Sequence, residues 1–161
     1  LLYSNPKLRD VIWTLGKIGH SEALEPLINL CRTQLIPLKD RWETLSASAF
    51  SVAELSKSNK DMALQYLYDL LDNRSEWVVE SGVYALGIIR DKSSILHLEK
   101  IIEGKRGKGH SRAFGWGNYM PLTKKTAKNV LESIVEKKNL PSVKSPWPPH
   151  HDWSKNEIWM D

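Results

Sequence analysis

Apolar residues recur at intervals of three and four positions in seven stretches of this chain, the spacing of one face of an α-helix. No stretch alternates apolar and polar residues over the length of a strand, so the pattern predicts an all-α protein. The stripes comprise Leu8, Val11, Ile12, Leu15 and Ile18; Leu24, Leu27, Ile28 and Cys31; Trp42, Leu45, Ala49, Val52 and Ala53; Ala63, Tyr66, Leu67, Leu70 and Leu71; Val78, Gly82, Ala85, Leu86 and Ile89; Ile95, Leu98, Ile101 and Ile102; Ala127, Val130, Leu131 and Ile134.

Two of these helices share a dipeptide at a fixed distance. Leu15-Gly16 and Leu86-Gly87 lie 71 positions apart, roughly two periods in the middle thirties. Each is followed by a short polar turn and a second helical stripe, so the helices are predicted to come in pairs. A glycine inside a helix costs about 1 kcal/mol relative to alanine, which indicates that neighbouring helices approach closely there.

The first helix of a pair thus closes on a Leu-Gly step with Ile shortly after it, and a turn such as Gly19-His20-Ser21 or Arg90-Asp91-Lys92 leads into a Leu-rich second helix. This pattern resembles HEAT repeats, in particular the short HEAT-like repeats of phycobilisome lyases, over about residues 5–137. The resemblance implies a short right-handed α-solenoid of about three and a half helical pairs. Because the chain opens on Leu1 and not Met, we expect its first helix to stack on an upstream element of a longer protein.

Two segments interrupt the array, and they set the expected domain boundaries. We expect a repeat domain at 1–137, containing a basic Gly/aromatic loop at 104–121, and a Pro/Trp-rich tail at 138–161. A loop of this length is usually functional or disordered. Trp116 in the loop and Trp147, Trp153 and Trp159 in the tail are candidate anchors, which either cap the last helices or bind a partner.

Positive charge is concentrated in one part of the chain. The net charge is +4, but no acidic residue lies between Glu103 and Glu132. This window contains seven basic residues that could contact a polyanion: Lys105, Arg106, Lys108, Arg112, Lys124, Lys125 and Lys128. The loop within it has no phosphate-binding motif, which favours a solvated loop whose aromatic residues fold back on the last helix pair.

No set of residues with the spacing of a catalytic or metal site is recognisable. Glu43, Glu54, Glu76 and Glu80 are expected on solvated helix faces. Histidines of the tail do not match zinc-ligand spacing, and the single Cys31 cannot supply a thiolate pair. We therefore expect no enzyme activity, cofactor or bound metal.

The concave surface lined by the second helices is the predicted binding site, because helical arrays bind partners along such a face. The candidate residues are Glu25, Asn29, Arg32, Gln65, Asp69, His97, Lys100 and Glu103. They carry both signs of charge, which suits a protein partner. The sequence thus predicts a cytoplasmic, non-enzymatic scaffold for protein–protein interaction, with no membrane span. A nucleic-acid-binding module and an accessory protein of a lyase are the alternatives.

Overall fold

The computed structural model describes residues 8–33, 38–104 and 121–140, and this part of the chain contains helices and turns but no strand. It confirms the all-α prediction and all seven helices. In chain order they are α1 (Leu8–Ile18), α2 (Leu24–Arg32), α3 (Leu38–Leu55), α4 (Lys60–Leu71), α5 (Glu76–Ile89), α6 (Ile95–Ile102) and α7 (Pro121–Val135). Short 3-10 turns at Ser21–Ala23 and Lys92–Ser94 precede α2 and α6.

The helices form two layers. In the first layer α1 packs on α3, α3 on α5 and α5 on α7. The helices α2, α4 and α6 form the second layer: α2 lies against α3, α4 against both α3 and α5, and α6 against α7. Each pair therefore contributes one helix to each layer, as a repeat array requires. The right-handed superhelix stays a prediction.

The 71-residue repeat predicted from the sequence is visible in the backbone. Gly19 and Arg90, which are 71 positions apart, both adopt a positive φ, of 78° and 57°. A 3-10 turn and then the second helix of the pair follow each of them at the same distance. Two segments of different sequence thus bend the chain in the same way between the two layers.

Ion pairs between the first two pairs of helices join residues about half of the 71-residue distance apart. Arg9 Nη1 lies 2.6 Å from Glu43 Oε2, and Lys17 Nζ lies 3.3 Å from Glu54 Oε1. The partners are 34 and 37 positions apart in the chain. Both ion pairs join α1 to α3, one near each end of α1, so they reinforce the packing of these two helices.

Two glycines bring successive first-layer helices together. A Cβ atom added at Gly16 would lie 2.6 Å from Ser51 Cα on α3. A Cβ atom at Gly87 would overlap the side chain of Leu140 and lie 3.1 Å from the methyl groups of Val130 on α7. The sequence-based prediction that these glycines serve close packing is confirmed, and the two equivalent positions each face the next first-layer helix.

The third helix is buried more completely than its apolar stripe predicted. Every residue from 44 to 53 is buried, because α1, α2, α4 and α5 all pack around α3. Small residues make this possible, and the hydroxyl groups of Ser48 and Ser51 bond to nearby carbonyl groups. Ser48 Oγ donates to Leu45 O at 2.7 Å, and Ser51 Oγ donates across the interface to Ile12 O at 2.8 Å.

A small polar cluster lies where α2, α3 and α4 meet. Tyr66 OH and Ser48 Oγ share a hydrogen bond of 2.5 Å, and the buried Cys31 thiol lies beside them. Burial raises the pKa of Cys31 above its ordinary value and that of Tyr66 well above its own. Both groups are therefore protonated at neutral pH, and Cys31 is a packing residue and not a reactive thiol.

The apolar stripe of α1 was expected to face the core, and that prediction is wrong for three of its five residues. Ile12 is buried, but Val11, Leu15 and Ile18 are 40%, 37% and 59% exposed. The reason is position in the array: α1 packs on α3 through the side that carries Ile12 and Gly16. Its other side faces away from the described helices.

The expectation that Glu43, Glu54, Glu76 and Glu80 lie on solvated helix faces holds only for Glu54, since Glu43 and Glu76 are half-buried and Glu80 is buried. Glu80 is 2% exposed and accepts a hydrogen bond of 2.7 Å from Thr126 Oγ1 between α5 and α7. One turn earlier, Glu76 accepts a bond of 2.6 Å from Thr123 Oγ1 and is half-buried. These carboxyl groups face a neighbouring helix because the first layer continues beyond α5.

The N-termini of α2, α4 and α5 are capped in different ways. Asn59 caps α4, because its side chain accepts a hydrogen bond of 3.1 Å from Met62 N. Ser75 occupies the N-cap of α5 without a side-chain bond to the helix. Ser21 is not the N-cap of α2: it begins the 3-10 turn that lies between α1 and α2.

We predict that Gly16→Ala lowers the free energy of unfolding by about 1–3 kcal/mol, because the new methyl group meets the backbone of α3. Gly87→Ala is the matched control, and its cost is smaller because the end of the Leu140 side chain can move away. Chemical unfolding of both variants measures the difference. Equal stabilities would show that the approach at Gly16 is not a rigid contact.

A second prediction concerns the buried carboxyl group. Thr126→Val preserves the shape of the side chain but removes the donor to Glu80, and we expect stability to fall by about 1–3 kcal/mol. Thr123→Val removes the same hydrogen bond from the more exposed Glu76 and should cost less, since water can replace the missing donor. The order of the two unfolding midpoints tests the prediction, and a reversed order would contradict it.

Candidate protein-binding face

The predicted binding residues lie on the second layer, and we call their surface the second-helix face. The helices α2, α4 and α6 carry all of them except Glu103, which directly follows α6. All except His97 are exposed, as predicted. The face is defined by Glu25, Asn29, Arg32, Gln65, Asp69, His97, Lys100 and Glu103. Its concave shape stays a prediction.

One ion pair joins two helices of this face. Arg32 Nη2 lies 2.8 Å from Asp69 Oδ2, between the C-terminal turns of α2 and α4. The same guanidinium group lies 6.0 Å from the centre of the Tyr66 ring. Because both charged side chains are at least half exposed, the pair adds little to stability. It does hold two side chains of opposite charge side by side on the surface.

His97 was predicted on an exposed helix face, and this is wrong. Its ring stacks on Tyr68 of α4, with centroids 3.8 Å apart and planes 10° from parallel, and the side chain is half-buried. The Tyr68 hydroxyl group also shares hydrogen bonds of 3.0 Å with Ser93 and 3.3 Å with Ser94. Tyr68 thus joins α4 to α6 and to the turn before it.

Burial at this contact lowers the pKa of His97 below its ordinary value. The positive charge of Lys100 lowers the pKa further, and the negative charge of Asp72 opposes the shift. The sequence pointed to Lys100 but not to Tyr68 or Asp72. The sequence contained a sign of their location. Tyr68 directly precedes the exposed Asp69, and Asp72 follows it by three positions, so both lie near the polar side of α4.

A shallow cleft of about 150 Å³ lies at the other end of α2. It separates the 3-10 turn before α2 from the start of α4, and Glu22 and Glu25 contribute its acidic side chains. Ser58 and Ser21 both line the cleft, and Ser58 Oγ donates a hydrogen bond of 3.3 Å to Ser21 O. Of the predicted face, Glu25 alone lines this cleft, so it is separated from the Arg32–Asp69 pair by the length of α2.

The predicted polyanion site is described only in part. Lys124 is half-buried and Lys125 and Lys128 are exposed on α7, which belongs to the first layer. These three lysines therefore do not belong to the second-helix face. The other residues of the prediction, and the predicted anchors, lie outside the described residues: Lys105, Arg106, Lys108, Arg112, Trp116, Trp147, Trp153 and Trp159.

Membrane-spanning and metal-binding features are both absent from residues 8–33, 38–104 and 121–140. No helix in these ranges combines the length and the hydropathy that crossing a bilayer requires. No three side chains of His, Cys, Asp or Glu are grouped there as a metal site would need.

The comparison with known sequence families concerns the first helical pair. The family model described as PBS lyase HEAT-like repeat matches residues 8–33, which are α1, the 3-10 turn and α2. Residues 8–33 form a HEAT-like repeat. The match confirms the resemblance, and α5 with α6 repeats the geometry of this HEAT-like unit 71 positions later. No curated protein and no solved structure matches the chain.

The stacked histidine predicts a pH dependence. Because the pKa of His97 is lower in the folded chain than its ordinary value of about 6.5, the unfolded state binds the proton more readily. We therefore expect the free energy of unfolding to decrease as the pH falls below about 6.5, with this contribution absent from His97→Gln. His20→Gln, at an exposed turn residue, is the control and should keep it. Identical pH profiles for wild type and His97→Gln would contradict the prediction.

Proposed function

We propose that this chain is a non-enzymatic HEAT-like scaffold that binds a protein partner through the second-helix face. The observation that supports it most is the cross-helix arrangement of that face. Three helices from successive pairs contribute polar side chains, and the Arg32–Asp69 and Tyr68–His97 contacts join neighbouring helices. Family members are helical repeat modules, and such modules often mediate protein interaction.

The charge of the face favours a protein over a polyanion. Arg32 and Lys100 alternate with Asp69 and Glu103, so a continuous line of phosphates would meet acidic groups as well as basic ones. A folded protein can present the complementary pattern, and such a pattern gives specificity and a faster association rate. Side chains already held by cross-helix contacts also lose less conformational entropy on binding.

A second candidate function is binding of a polyanion. The exposed Lys125 and Lys128 and the half-buried Lys124 support it, since no acidic residue lies in the first turn of α7. An accessory role beside a lyase is a third candidate, which the family description suggests. That role would use the same interaction surface with a particular partner, and we place it last because the sequence shows no set of residues with the spacing of a catalytic site.

The test exchanges the charges of one pair. The double variant Arg32→Asp with Asp69→Arg keeps an ion pair between α2 and α4 but inverts the charges presented to a partner. We expect the wild-type chain to capture a partner protein in the presence of nuclease, and the exchange to weaken that complex about tenfold, which is about 1.4 kcal/mol. Lys124→Gln with Lys125→Gln and Lys128→Gln is the control and should bind normally.

The opposite pattern would contradict the proposal. If nuclease abolishes capture, or if the α7 lysine variant loses the partner while the charge exchange does not, the polyanion function takes its place. Affinity for single-stranded nucleic acid should then fall steeply with salt, and each lysine that no longer neutralises a phosphate should reduce the slope by about 0.7. Unfolding curves of both variants confirm that the fold is intact.

A further inference from the structure

The cleft between the 3-10 turn before α2 and the start of α4 is a small recess in the second layer, and we call it the acidic cleft. Its volume of about 150 Å³ suits one side chain, since pockets for whole small molecules hold about 300–1,000 Å³. Glu22 and Glu25 line it and are exposed, while the buried Leu24 and the half-buried Met62 supply its apolar part. Such a lining suits a side chain with an aliphatic stem and a charged head.

The charge of the acidic cleft selects a cation. Lys60 of α4 is engaged elsewhere, because its Nζ lies 2.6 Å from Asp91 Oδ2. The other charged side chains at positions 21–25 and 57–62 are three acidic and one basic: Glu22, Glu25, Asp61 and Lys57. The N-termini of α2 and α4 each add about half a positive charge, which leaves the cleft negative. Since the described residues contain no group of three possible metal ligands, an ammonium or guanidinium group is the matching cation.

An exposed apolar side chain lies at the same level of the array as this cleft. The 71-residue repeat makes Leu96 of α6 equivalent to Glu25 of α2, and the positive φ angles of Gly19 and Arg90 show that the backbone follows the same register. Leu96 is 58% exposed, and among the described residues of α2, α4 and α6 it is the one large aliphatic side chain that is exposed. A partner that crosses the three helices at this level therefore meets the cleft and then Leu96.

The spacing of the helices gives the length of the segment that such a partner needs. Helices packed side by side lie about 8–10 Å apart, which places Leu96 about 16–20 Å from Glu25, with α4 between them. An extended chain advances about 3.3 Å per residue, so about five residues cover this distance. The cation and the apolar side chain of the partner can thus belong to one short extended segment.

The described chain does not run toward the acidic cleft from its own breaks. The cleft lies where described turns join α1 to α2 and α3 to α4. The chain leaves the described ranges at the opposite ends of these helices, at Leu8, Thr33 and Leu38. A separate molecule therefore has more direct access to the cleft than the adjoining chain has.

We propose that the second-helix face binds an extended segment of a partner protein, which inserts one lysine or arginine side chain into the acidic cleft. About five residues along the same segment, a large apolar side chain contacts Leu96. This inference rests on the proposed function and names the chemistry of the partner. It also places the contact at the N-terminal halves of α2 and α6, away from the Arg32–Asp69 pair at the other end of α2.

The test uses a synthetic peptide, acetylated and amidated, of sequence Arg-Thr-Ser-Thr-Ser-Leu. The full chain, labelled with carbon-13 at its Met and Leu methyl groups, is titrated with this peptide and followed by NMR. We expect saturable shifts of the Met62 and Leu96 methyl signals. Glu22→Gln with Glu25→Gln should weaken binding at least about fivefold, because the cation loses both carboxylates, and Leu96→Ser should weaken it about threefold.

Two controls isolate the charge and the site. Glu99→Gln removes an exposed carboxylate of α6 away from the cleft and should leave peptide binding unchanged. A peptide with glutamine in place of arginine should bind the wild-type chain as weakly as the arginine peptide binds the double glutamine variant, and added salt should weaken the arginine peptide alone. Thermal unfolding checks the fold of each variant, and Glu25→Gln alone serves if the double variant is unstable.

Partner capture separates this inference from the proposed function. If the charge exchange at Arg32 and Asp69 weakens the partner complex but Glu22→Gln with Glu25→Gln does not, the proposed function stands and this inference is wrong. It is also wrong if the arginine peptide causes no saturable shift, or if the glutamine peptide binds equally well. Calcium ions that reproduce the shifts of the arginine peptide would overturn it too, because the cleft would then hold a metal ion and not a side chain.

Discussion

Close approach of the first-layer helices is the constraint on which the other contacts depend. Gly16 brings α1 so near to α3 that the Ser51 hydroxyl group reaches across to the Ile12 carbonyl oxygen. At that separation α3 is enclosed on every side, and small residues must line it. Because α2 and α4 both pack on α3, the position of these second-layer helices depends in turn on the packing around α3.

Helix positions and the repeat could be predicted from the sequence because both depend on local periodicity. The buried stripes of α2, α4, α6 and α7 follow the same rule, since each of these helices has one core-facing side. The exposure of the apolar stripe of α1 and the burial of Glu80 could not be predicted in this way. It depends on which helix stands next to each of them, and the Thr126 donor to Glu80 is 46 positions away in the chain.

For the candidate site, exposure was predictable and pairing was not. Polar residues at intervals of three and four on α2 and α4 had to face solvent once the leucine stripes faced the core. The Arg32–Asp69 and Tyr68–His97 contacts depend instead on how far one helix is shifted along the next. A shift of one turn would separate both pairs without changing the apolar pattern of either helix.

The buried Cys31 has a practical consequence. The chain contains one cysteine, and its thiol is enclosed with Ser48 and Tyr66 where three helices meet. A thiol-modifying reagent can reach the sulfur atom only when α2 separates from α3 and α4. The native sequence therefore contains a built-in reporter: the alkylation rate measures how often the array opens between its first two pairs, with no label introduced.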